Sequence, residues 1–138
     1  MYSRILVPVD IDNTDKLTKA LDIAARTAKD SDATVVFVAV VDAVPTTSAR
    51  PEGDRIKAQL DSFAADQAKA HAIKTADHVA LRSDFRLSVG ADIIDSAKKM
   101  DCDLVIMASH VPGIKDHILS SNAGYVASHA PMSVYVVR

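Results

Sequence analysis

"RILVPVD", residues 4–10, is a run of apolar residues closed by an aspartate. Nearly continuous hydrophobicity over so short a length suits a parallel strand covered on both faces, since a half-exposed strand would alternate. Three further runs share this character: "ATVVFVAVV" (33–41), "DLVIMAS" (103–109) and "SVYVVR" (133–138). A weaker one, "HVALRSDFRL" (78–87), sets Val79, Leu81, Phe85 and Leu87 in alternation and predicts one more strand.

Between these runs the apolar period changes. Leu17, Ala20, Leu21, Ala24 and Ala28 fall at helical spacing behind Asp12, Asn13 and Thr14, which are N-cap candidates. Ile56, Leu60, Phe63, Ala64 and Ala68 repeat the pattern, and Ile93, Ile94 and Ala97 repeat it briefly. A last helix is predicted over 122–129, stopped by Pro131, with Ser120 or Ser121 as its cap. The order βαβαβαβαβ argues for an open parallel sheet with helices on both faces and right-handed crossovers. Residues 42–54, "DAVPTTSARPEGD", form the one long irregular stretch and read as a lid or a mobile segment.

A chain of 138 residues buries a full core without staples, so a single domain over 1–138 is expected. Sixteen basic and 18 acidic residues are mixed along it for a net charge of −2, which leaves no footprint for nucleic acid or an anionic membrane. Cys102 has no disulfide partner, and Asp101 and Asp103 beside it raise a thiol pKa rather than activate it. No secretory leader pattern opens the sequence and no apolar run approaches the ~18 residues of a membrane span, so a soluble cytoplasmic protein is expected.

In open α/β sheets a ligand binds beyond the carboxyl ends of the strands, where the strand order reverses. Asp10, Val40 to Asp42, Ser109 and His110 follow the strands and are the candidates. A carboxylate at Asp10 can accept from ribose hydroxyls, and backbone near Val40 can read an adenine edge; Asp10 can equally be a helix-entry cap. Ser120, Ser121 and Asn122 open the last helix, where the dipole attracts an anion, or serve only as caps.

"ILVPVD" at the start, "VAVVD" after the second strand, "DLVIMASH" in the fourth and "SNAGYVASHAPMSVYVVR" at the end resemble the universal stress protein family over essentially the whole chain. "ASH-x-P" with "SNA" is most similar to the small bacterial F-type subgroup. The resemblance implies a Rossmann-like, doubly wound sheet of five strands in the order 3-2-1-4-5. It also implies a homodimer through the C-terminal strand and, in the nucleotide-binding branch, ATP between the first and fourth strands; a regulatory role in stress response through a protein partner is expected, and Asp10 is the candidate to hold a nucleotide-bound Mg2+. Asp10 and Val40 then carry the adenosine end. Ala108, Ser109, His110, Ser120, Ser121 and Asn122 carry the phosphate end.

The family phosphate motif, G-x-x-G, nine residues, then G-[ST], falls on Ala108, Val111, Ser121 and Asn122. Asn122 matches the F-type variant, whereas Pro112 removes a backbone donor and a Cβ at Ser121 narrows the approach of a phosphate. The family's frequent glycine after the third strand is Leu87 here, and Gly90 is out of register with it. Pro8 reads as structural, placed where a missing N–H is tolerated. His110 and His117 are separated by Pro112 and Gly113 and lack the further ligands that zinc needs.

No nucleophile elbow, no Lys after a Gly-rich loop and no nucleophile–base pair is present, so a non-catalytic nucleotide-binding protein is expected. An apo scaffold acting through protein contacts is the alternative, and slow ATP hydrolysis is a third reading. The apolar final strand would leave an exposed edge, which pairing with a second copy would cover.

Overall fold

The computed structural model describes residues 1–42, 49–85, 87–109 and 118–138, without the side chains of residues 49–52 and 118. In chain order the elements are β1 (Arg4–Val9), a 3-10 segment (Ile11–Leu17), α1 (Thr18–Ser31), β2 (Thr34–Asp42) and α2 (Ala49–His71). There follow β3 (Lys74–Thr75), β4 (Val79–Ser83), α3 (Val89–Lys99), β5 (Leu104–Ala108), α4 (Ile118–His129) and β6 (Ser133–Val137). All strand pairs are parallel, in the order β3-β2-β1-β5-β6, with β4 also on β2. The order is thus the expected one, with six strands in place of five.

The extra strand arises because the third position of the sheet is filled in two pieces. Thr34 and Val35 pair with Lys74 and Thr75, but Val38 pairs with Val79, so three residues, Ala76 to His78, stand opposite Val36 and Phe37. One added residue against two is a bulge. Asp77 takes a left-handed φ of 55° there, which a short polar side chain tolerates better than most. The strand also stops short of Phe85 and Leu87. Asp84 O accepts from the N–H groups of Leu87 and Ser88, making a turn that leaves Leu87 84% exposed.

Side chains alternate across the central strands as the pleat requires, and both sets are apolar. Ile5, Val7, Val9, Val35, Phe37, Leu104 and Ile106 face α1 and α2, against Leu21, Ala24, Leu60 and Ala64. Leu6, Val36, Val38, Val105 and Met107 face α3 and α4, against Ile93, Ala97, Leu119 and Val126. Burial of a Leu or Ile side chain contributes about 1.5–3 kcal/mol, so these two layers dominate the stability.

Three helix starts differ from expectation. The side chain of Asp10, not Asp12, Asn13 or Thr14, caps the 3-10 segment, and α1 follows Leu17 with no side-chain cap. Asn13 is non-helical at φ −135°, ψ 35°, so a kink separates the entry turn from α1. α2 begins at Ala49, which makes residues 49–54 helical; a proline such as Pro51 fits a first helical turn, whose N–H groups have no partner in the helix. Only 43–48 of the expected lid lie outside the described residues. α4 includes Ile118 to Asn122 because Leu119, Ala123 and Val126, all fully buried, form one stripe at helical spacing. Ser120 and Ser121 therefore sit inside its first turn rather than capping it.

Candidate functional site

The strand order reverses at β1, and the two sides of that strand differ. With β2 it pairs along its whole length, from Arg4 with Thr34 to Val9 with Ala39. With β5 it pairs only at Ile5 with Leu104 and Leu6 with Val105. Backbone groups of successive residues face opposite neighbours, and the carbonyls of Ser3 and Arg4 fix the phase. Ser3 O accepts from Thr34 N–H at 3.0 Å, and Arg4 O accepts from Asp103 N–H at 3.0 Å. Leu6 and Pro8 consequently face β5, and Pro8 has no N–H to continue the ladder. The β1–β5 ladder thus ends short of the carboxyl ends of both strands, at the point of reversal, which is where open α/β sheets accept ligands.

Asp10 lies just beyond the end of β1. Its carboxylate accepts from Asp12 N–H at 3.2 Å and from Asn13 Nδ2 at 2.8 Å, and Asp10 O accepts from Asn13 N–H at 3.0 Å. Val40, half-buried, lies near the end of β2 opposite Leu81 and belongs to the α3–α4 face. Ala108 ends β5 with its side chain in the α1–α2 layer. Ser109 is turned to β6: its N–H donates to Val137 O at 2.8 Å and its hydroxyl to the same oxygen at 3.4 Å. His110, Val111, Pro112, Gly113 and His117 lie outside the described residues.

Ser120, Ser121 and Asn122 lie near the start of α4, the positive end of its dipole. The amide of Asn122 is already engaged. Its Oδ1 accepts from Gly90 N–H at 3.2 Å, in the first turn of α3, and its Nδ2 donates to Ser121 Oγ at 3.3 Å. Gly90 is required by this junction: a Cβ there would stand 2.6 Å from Tyr125 Cδ1. It serves the packing of α3 on α4 and does not replace the family glycine at Leu87. Neither Gly90 nor the ladder-ending role of Pro8 follows from apolar patterning; a lone glycine between "LSV" and "ADI" and a proline inside a strand were the available signals.

Ser83, only 2% exposed, donates to Asp92 Oδ2 at 2.6 Å, and Ser88 donates to the same oxygen at 2.9 Å, closing the β4–α3 turn. Cys102 is buried, and burial is the main cause that pushes its thiol up, with Asp103 and Asp101 adding and Arg4 opposing. Among the described residues no three His, Cys, Asp or Glu side chains come together as a metal site, and no helix is long and apolar enough to cross a membrane.

The Universal stress protein family matches residues 1–138. The chain belongs to that family. It is 28% identical to Universal stress protein G of Escherichia coli O157:H7 over 142 residues, covering all of both chains. Its fold matches the universal stress protein UspA of Lactobacillus plantarum with a TM-score of 0.72 at 25% identity, over 99% of this chain and 98% of that one. It also matches a universal stress protein of Archaeoglobus fulgidus in complex with dAMP (TM-score 0.70, 23% identity, 99% and 98% covered). A universal stress protein in complex with cAMP matches with a TM-score of 0.70 at 20% identity, with 99% and 97% covered.

Proposed function

We propose that this universal stress protein binds an adenine nucleotide, ATP with Mg2+ in the first instance, in the opening between β1 and β5, as a non-catalytic cytoplasmic homodimer that regulates a partner in stress response. The observation that supports the reading is the early end of the β1–β5 ladder at Leu6 and Val105, with Asp10 just beyond the end of β1 at the reversal point. The complexes of structural neighbours with dAMP and cAMP support adenine as the base. Asp10 would exchange a cap bond for a ribose hydroxyl, Val40 would offer its backbone to the adenine edge, and the first turn of α4 would face the phosphates. Dimerisation would use the outer edge of β6.

Isothermal titration with ATP and magnesium tests the proposal: saturable heat is expected, and weakened by Asp10→Ala. No heat at millimolar nucleotide overturns it. Ala108 and Ser121 at motif glycine positions favour, in that event, a scaffold that works through protein contacts alone. Phosphate release above a buffer blank by a nucleotide-binding preparation would make the protein a slow ATPase.

A further inference from the structure

The bulge at the third sheet position is closed by a side chain. Phe37 N–H, opposite the inserted residue, finds no strand carbonyl and donates instead to His78 Nδ1 at 3.1 Å. The imidazole also lies against the Phe37 ring, centroids 5.7 Å apart, and Phe37 meets Phe63 of α2 edge-on at 5.2 Å. For Nδ1 to accept, the ring must be neutral with its proton on Nε2.

We infer that His78 is a proton-responsive stitch in the sheet: protonation of Nδ1 removes the acceptor of the Phe37 amide and loosens β3 and β4 from β2 beneath α2. The charged groups that face the ring come from three sides. α2 brings Asp54, Lys57 and Asp61, β4 brings Arg82, and the bulge itself brings Asp77, while β2 presents only apolar side chains and backbone. A cavity of about 460 Å³ between α2 and β4 is lined by His78, Asp54, Lys57 and Arg82, so solvent protons reach the ring. Desolvation pushes the imidazole below its ordinary 6.5; Asp61 opposes this, Lys57 adds to it, and Asp77 opposes it.

The unfolded chain accordingly binds the proton first as pH falls. The contribution of this group to stability is complete above about pH 6.5 and is lost as the pH drops from there toward the folded-state value. Because the β4 ladder continues to Val40 with Leu81 and Asp42 with Ser83, loosening reaches the carboxyl end of β2. The device stands on the bulge geometry and is independent of what the crevice binds.

Hydrogen exchange and imidazole 15N NMR on the full chain test it. Once corrected for the intrinsic rate and referenced to the Val7 amide in β1, exchange at Phe37 should be several-fold faster near pH 5 than near pH 7.5, in the direction set by the lowered imidazole pKa. His78 Nδ1 should be unprotonated at neutral pH and should titrate together with the Phe37 amide shift. His78→Asn, whose side-chain oxygen accepts without titrating, should abolish the pH dependence at Phe37. Equal protection at both pH values, a proton on Nδ1 at neutral pH, or an unchanged pH dependence in the variant overturns the inference; the wild-type titration decides alone should the variant fail to fold.

Discussion

The two edges of the sheet are built in opposite ways. At one edge, β3 and β4 are separated by a bulge, a left-handed Asp77 and a histidine that stands in for a carbonyl. At the other, β6 runs unbroken for five residues against β5, from Ser133 with Leu104 to Val137 with Ala108. Among the described residues no strand covers its outer side. An interrupted edge resists pairing with another chain, whereas a regular one invites it. For the proposed homodimer, the regular edge is therefore the one to probe.

Removing the packing behind the interrupted edge should have the largest effect. Phe37→Ala takes away a fully buried ring together with its contacts to Phe63 and His78, and should cost about 3–5 kcal/mol in urea unfolding. A loss below about 1 kcal/mol would mean that the bulge holds without its aromatic backing.

The regular edge is probed by assembly rather than by folding. Val137 O faces β5, since it accepts from Ser109 N–H, so the backbones of Val134 and Val136 face outward. Val136→Pro deletes one outward N–H per chain and two per two-fold interface. At about 1–1.5 kcal/mol per hydrogen bond, dimer dissociation in sedimentation equilibrium should become about 100-fold easier. An unchanged dimer would move the interface elsewhere.

Asp77→Gly should be the mildest. Glycine relieves the left-handed conformation by about 1 kcal/mol, while the loss of the 3.0 Å Arg4–Asp77 ion pair, open to solvent on the aspartate side, costs about 0–1 kcal/mol. Unfolding should shift by less than about 1 kcal/mol in either direction, and a larger loss would assign the pair a structural role.

Much of the fold was legible in the chain because it is written locally. The apolar runs at 5–9, 35–41 and 104–108 are buried strands, and the stripe from Ala20 to Ala28 is a buried helix face. The boundaries were less legible. "DAVPTTSARPEGD" looks irregular by its prolines and glycine, yet the helix takes in its second half, since a first turn tolerates proline. "HVALRSDFRL" alternates on paper through Leu87, but Ser83, Ser88 and Asp92 close a turn that composition cannot reveal.

The candidate site divides along the same line. Asp10 and Val40 could be picked out as the residues at the ends of strands, and the alternation of strands and helices put those ends on one side of a sheet. Which pairs of strands stay zipped and which part was decided by Pro8, through the phase of its missing N–H against β5, and phase is a relation between segments a hundred residues apart. The burial of Leu119, the close approach at Gly90 and the histidine that accepts from Phe37 are of the same kind. Apolar periodicity is carried by neighbours in the chain, so the sequence alone determined the elements, their order and the family; register and contact join residues distant in the chain, so only the tertiary structure decided where the sheet opens and how its edges end.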